Sequence, residues 1–156
     1  MPVQYIASLS FTEAVFVVFS TTLILGLLAF FLIHRKNPKQ WANESRCREI
    51  LEKTYKKKFP NVRPEFMRQK NGRKLELDCW CSELQLAVEY NGIQHYKYTP
   101  RFHSSPEALI KQKIRDREKE DMCKRAGVTL ITIPYTVKYE DLESHILSEL
   151  KSTGLL

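Results

Sequence analysis

LELDCWCSELQLAVEYNGIQHY, residues 75–96, is two alternating runs joined by a short polar turn. In the first run Leu75, Leu77, Cys79 and Cys81 share one face, and Glu76, Asp78 and Trp80 share the other. In the second, Leu86, Val88 and Tyr90 alternate with Ala87 and Glu89. A period of two is that of a β-strand with one face on a core. The turn lies near Ser82 to Leu84. A register centred between Glu83 and Leu84 sets Asp78 opposite Glu89, both off the core face. Asn91-Gly92 closes the second strand.

Working outward, Val62 to Met67 reads as a short strand, followed by an Asn71-Gly72 turn, a strong hairpin signal. Upstream, Asn43 is an N-cap for a helix over 44–57, whose apolar stripe is Cys47, Ile50, Leu51 and Tyr55. Glu44 lies three residues before Cys47 and shares that inward face. Downstream, 93–104 is loop. Ser105-Pro106-Glu107 starts a helix, with a cap, a first-position Pro and an acid in the first turn. It runs to Ala126 and stops at Gly127. Val128 to Ile133 is a buried-type strand, and 139–152 is an amphipathic helix. The order is α-β-β-β-α-β-α, an α/β fold.

The N-terminus is of another kind. Ala14 to Ile33 are twenty residues without a charge, the length that spans a bilayer's hydrocarbon core. The predicted organisation is a leader over 1–13, a transmembrane helix over 14–33, a basic linker over 34–43 and a domain over 44–156. The leader lacks Lys and Arg, and the run ends in His34-Arg35-Lys36 without a small-residue cleavage site, unlike a signal peptide. The basic flank Arg35, Lys36 and Lys39 predicts a single-pass anchor with the domain on the cytoplasmic side, in a host-cell or virion membrane. Glu13 is the one charge of residues 1–33, so the remainder holds all 25 Lys and Arg against 17 of the 18 acids. With 43% hydrophobic residues the chain can build a core, which excludes pure disorder. Four Cys are too few for a disulfide-stapled secreted fold.

Two facing carboxylates repel unless a cation lies between them. A hard divalent ion such as magnesium takes such oxygen ligands. Asp78 and Glu89 are the candidate ligands, with Glu44 as a third, and Asn91, Gln94 and His95 converge at the same end of the hairpin. The competing reading is a solvated acid pair on an exposed sheet face. Lys53 to Lys74 hold nine Lys or Arg and one acid, Glu65. A basic face beside an acid-metal site suits phosphodiester cleavage. A solvated face and attachment to anionic lipid are its alternatives.

The hairpin and the later stretch QKIRDREKEDMCKRAGVTLITIPY resemble the PD-(D/E)XK restriction-endonuclease-like superfamily. The resemblance is to its branch of very-short-patch-repair-like endonucleases and related small proteins of phages and large DNA viruses. It covers roughly 41–135 and implies an α-β-β-β-α-β core with a mixed sheet. By the resemblance, Asp78 and Glu89 ligate Mg (or Mn), and Glu44 on the first helix joins them. Gly92, Gln94, His95 and Tyr96 match a G-x-Q-H-Y segment, and Asp116 and Lys119 a D-x-x-K pair. The sequence departs from the pattern where a Lys should follow the Glu by two positions: Asn91 stands there. Gln94, His95 and Lys119 are the candidates to replace it.

Two functions follow from this reading. One is a membrane-anchored, metal-dependent endonuclease acting on DNA, with Asp78, Glu89, Gln94, His95 and Glu44 catalytic. Lys56, Lys57, Lys58, Arg63, Arg73 and Lys119 then contact nucleic acid. The other is an inactive module on the same fold that binds nucleic acid or anionic lipid. Cys47, Cys79, Cys81 and Cys123 read as buried reduced thiols, since their spacing is not that of a zinc site. Trp80 is expected beside the first helix, and His103 is expected to be a loop histidine without a partner.

Overall fold

The structure, a computed structural model, describes residues 10–34 and 38–156. It divides into two units, the first containing helix α1 (Phe11–His34) and the second running from Lys39 to Leu156. Among the described residues no helix is long and apolar enough to cross a membrane. This corrects the expected transmembrane helix over 14–33 and the single-pass, cytoplasmic-side placement drawn from it. Counting uncharged positions took hydroxyl residues as apolar. By sequence, Ser20, Thr21 and Thr22 divide the uncharged stretch into Ala14–Phe19 and Leu23–Ile33. Their hydroxyls donate to the carbonyls of Val17, Val18 and Phe19. Neither run approaches the roughly 20 residues a span requires. Most of the expected leader, 1–9, and the flank Arg35 and Lys36 lie outside the described residues.

The second unit begins with α2 (Pro38–Tyr55). It starts six residues before the predicted Glu44, because Pro is accommodated at a helix's first position. Asn43 is therefore inside the helix, where its side chain hydrogen-bonds Tyr90. The sheet has three strands in the order β1 (Cys79–Cys81), β2 (Leu86–Asn91), β3 (Thr129–Pro134). β1 and β2 are antiparallel and β2 and β3 parallel, the crossover being α3 (Pro106–Arg125). α4 (Leu142–Ser152) ends the fold.

The predicted strand over 62–67 does not form. Pro64 has no N–H to give a ladder, and Glu65–Met67 is a single 3-10 turn. Only the bridges Val62↔Leu77 and Arg68↔Lys74 remain there, so β1 is three residues long where seven were expected.

From Cys79 on the alternation of the hairpin is kept, but Leu75 and Leu77, expected on the Cys79 face, pack with Trp80 on the other, and both faces are covered. On one, Cys79, Cys81, Leu86, Val88 and Tyr90 join Ile50 and Leu51 of α2 and Leu142, Ile146 and Leu150 of α4. On the other, Trp80 and Ala87 join Met67, Leu77 and the α3 residues Met122 and Cys123. Trp80 packs edge-on to Phe66, ring centroids 5.6 Å apart, and not beside α2. The hairpin face expected to be open is thus the one on which α3 lies.

Candidate active site

The β1–β2 register is Cys79↔Val88, Trp80↔Ala87, Cys81↔Leu86. The ladder ends at Cys79↔Val88, so the expected pairing of Asp78 with Glu89 is not part of it. Asp78 lies just before β1. Its carbonyl oxygen accepts from a guanidinium nitrogen of Arg48 at 2.9 Å, and Arg48 Nε donates to the Phe59 carbonyl at the same distance. Arg48, on α2, thereby ties the start of β1 to the helix and fixes where Asp78 stands. Sequence reasoning missed it; its position four residues after Glu44, one helical turn on, was the available signal.

Glu89 lies in the middle of the sheet, 5% exposed, on the α3 face. Lys119 Nζ donates to both its carboxylate oxygens, at 2.6 and 2.7 Å. Burial pushes the Glu89 carboxyl up to about 7. Lys119 pulls it down, Asp78 pushes it up, and His95 pulls it down. Those couplings place Asp78 and His95 within electrostatic reach of Glu89.

His95 follows β2 in the short turn Ile93–His95. Its Nδ1 is 2.9 Å from Asp116 Oδ2. Gln112 Nε2 lies 3.2 Å from the same ring nitrogen and donates to Asp116 Oδ1 at 3.0 Å. Gln112, Asp116, Lys119 and Cys123 recur at helical spacing and form the α3 stripe turned to the sheet. One helix thus supplies both the cation on Glu89 and the carboxylate on His95. Asn91 hydrogen-bonds the Tyr96 hydroxyl.

Glu44 is buried on α2. Both it and Asp78 act on the Cys47 and Cys79 thiols, so the two carboxylates share a neighbourhood. Among the described residues no group of three or more His, Cys, Asp or Glu is arranged to hold a metal ion. Asp78 and Glu89 are two carboxylates within electrostatic reach of each other. Magnesium is commonly held by one or two carboxylates, the rest of its shell being water and substrate phosphate.

The four cysteines are free and buried. Burial pushes the Cys47 thiol up to about 12 and Cys123 to about 11, and raises Cys79 also. They serve packing and not nucleophilic chemistry. His103 is buried too, and has a partner: its Nδ1 accepts the Thr99 N–H at 3.1 Å, and Tyr98 stacks on its ring.

The basic run divides. Lys57 pairs with Glu83, Lys58 with Glu52, Arg63 with Glu76, and Arg68 and Lys74 both with Glu65. Lys56 takes a left-handed backbone conformation, φ 55°, just after α2. Lys119 belongs to Glu89 and stands apart from this run.

Three viral proteins resemble the chain, each described as uncharacterized. Protein 033L of Invertebrate iridescent virus 3 is 42% identical over 114 residues, 72% of this chain and 59% of its own length. Protein 307L of Invertebrate iridescent virus 6 is 39% identical over 145 residues, 83% of this chain and 73% of its own. Protein 094L of Frog virus 3 is 37% identical over 114 residues, 72% of each chain. The chain thus spans about three fifths of 033L and almost three quarters of the other two. No protein-family model matches it, and no solved structure does.

Proposed function

We propose that this chain, which belongs to the family of viral proteins that includes 307L of Invertebrate iridescent virus 6 and 094L of Frog virus 3, is a magnesium-dependent endonuclease hydrolysing phosphodiester bonds of DNA. One observation carries the reading. A buried carboxylate on β2, Glu89, feels the charge of Asp78 just before β1, and a half-buried lysine sits on it at 2.6 and 2.7 Å. Burying Glu89 costs stability, because its charged form loses water. A fold whose sheet needed only packing would place an apolar residue there.

Asp78 and Glu89 are the residues that would hold magnesium or manganese. Bound there, the ion would polarise a phosphoryl oxygen and lower the pKa of its water. Lys119 supplies the positive charge that the PD-(D/E)XK resemblance assigns to the position of Asn91. With Glu89 holding the ion, Lys119 would be free to meet the charge of the phosphate. Asp116 holds His95 through Nδ1, leaving Nε2 to take a proton from the attacking water or give one to the leaving oxygen. Gln112 braces that pair. Gln94, beside His95 in the same turn, is the remaining polar group proposed to line the site.

The test is nicking of supercoiled plasmid by the full chain. Magnesium should support nicking and EDTA should stop it. Glu89→Gln and Lys119→Met should each lower the rate by two orders of magnitude or more, as expected for groups acting on the developing charge. Nicking that survives Glu89→Gln would overturn the proposal. Nucleic-acid binding without any nicking would leave a binding module on the same fold.

A further inference from the structure

α3 carries a second working face. Lys111, Ile114, Arg115 and Glu118 follow one another at helical spacing, beside the stripe that reaches Glu89 and His95. Across from them stand Arg73, Lys74 and Leu75, in the segment that leads into β1, with Arg63 and Glu76 at the rim. The two walls enclose a cleft of about 680 Å³. Its lining holds five cationic side chains and two carboxylates.

The carboxylates are already engaged. Glu76 accepts from Asn61 at 2.9 Å and from Arg63 at 3.0 Å. Glu118 accepts from Gln69 at 2.8 Å. Among the cations, Lys74 pairs with Glu65, outside the lining, and Arg115 donates to the neutral Gln112. Among the described residues neither Arg73 nor Lys111 has an ion-pair partner within 4.0 Å. Lys111 acts only at a distance on Glu107, one turn back. The floor is apolar: Leu75 is half-buried and Ile114 is 58% exposed. Positive heads over an exposed apolar floor suit a chain of phosphates whose sugars and bases need a dry surface. The volume is that of a small-ligand site.

We propose that this cleft is a second nucleic-acid subsite, which seats the phosphates of a single strand on Arg73, Lys74, Lys111 and Arg115, apart from Asp78 and Glu89. The identity of the polyanion rests on the nuclease reading; the charge of the cleft does not. Arg63 and Arg73 were legible as part of a basic run. Lys111 and Arg115 were not, because they lie about forty positions later and meet that run only when α3 packs across it.

The experiment is fluorescence anisotropy of a labelled oligothymidylate with the full chain in EDTA, over a salt series. Each single-strand phosphate contact contributes about 0.7 to the slope of log K against log salt. Arg73→Gln combined with Lys111→Gln should therefore lower the slope by about 1.4. Arg73→Lys, which keeps the charge, should restore its share, so loss of fold is distinguished from loss of contact. Lys57→Gln with Lys58→Gln, whose amines are held by Glu83 and Glu52, should change the slope by less than half as much. An unchanged slope in the Arg73/Lys111 double variant overturns the subsite. So does failure of the wild-type chain to bind the oligonucleotide, or tighter binding of a duplex that the double variant leaves intact. Inorganic phosphate that competes as well as the oligonucleotide, mole for mole, would show an anion site only and overturn the strand. Plasmid nicking in magnesium reads the carboxylates separately. Slope loss without nicking sinks the nuclease reading alone, and nicking with an unchanged slope sinks the cleft alone.

Discussion

Burial raises the Glu89 carboxyl from 4.5 to about 7, although Lys119 touches both its oxygens. The folded group binds its proton more tightly than the unfolded one, so its contribution to stability is complete below about pH 4.5 and is lost as pH rises through about 7. Metal-free protein should lose up to about 3 kcal/mol between pH 5 and 8 from this group, at 1.36 kcal/mol per pKa unit. Urea midpoints in EDTA measure it. Glu89→Gln should flatten the profile, and a variant profile as steep as wild type would show that another group is responsible. Lys119→Met should cost on the order of 3 kcal/mol at pH 8, where it strands a buried carboxylate, and much less at pH 5, where Glu89 is protonated. Equal cost at both pH values would mean that Lys119 contributes packing alone. The sequence made the hairpin register legible, with its turn between Cys81 and Leu86, and brought Asp78 within electrostatic reach of Glu89. It did not make their burial legible. α3 has only Met122 and Cys123 buried, and a helix so rich in charge does not announce which of its faces meets the sheet.

At the scale of elements, the site is held by α2 from one side and α3 from the other. Arg48 ties α2 to the backbone at Phe59 and Asp78. Hydrogen bonds from a charged donor are worth about 1.5–3 kcal/mol each, so Arg48→Met should destabilise the fold by about 3 kcal/mol. It should also weaken the response to magnesium, although Arg48 meets no ligand, because Asp78 loses its fixed position. Thermal melts with and without magnesium separate the two effects. An unaltered magnesium shift in Arg48→Met would show that Asp78 is held by other means. Trp80→Ala should cost about 3–5 kcal/mol, since the ring fills the second core against Phe66; a loss under 1 kcal/mol by urea unfolding would place it at the surface. The later helix and the strand after it were legible from Pro106 and Gly127. The strand over 62–67 was misread because its apolar residues counted for more than Pro64, which has no donor for a ladder.

Over the whole molecule, a formal charge of +7 says little about where a polyanion lies. Five of the nine basic residues between Lys53 and Lys74 are tied to Glu52, Glu65, Glu76 or Glu83, and Lys53 reaches Glu143 on α4. The pairs of Lys57 with Glu83, Arg63 with Glu76 and Lys53 with Glu143 are invisible in sequence because their partners lie far along the chain. The N-terminal run misled for a related reason: absence of charge was counted where apolarity was needed, and Ser20, Thr21 and Thr22 interrupt it. The central claim is that Asp78 and Glu89 together hold one divalent ion. Its most direct measurement is the thermal midpoint at pH 7.5 with and without magnesium, for wild type, Asp78→Asn and Glu89→Gln. Ion at a hundredfold excess over its dissociation constant should stabilise wild type by about 2.7 kcal/mol. Both variants should show no magnesium shift, and Asp78→Asn should melt in EDTA at or above the wild-type midpoint because a repulsion is gone. A wild-type protein indifferent to magnesium, or a shift that survives either substitution, would contradict the account.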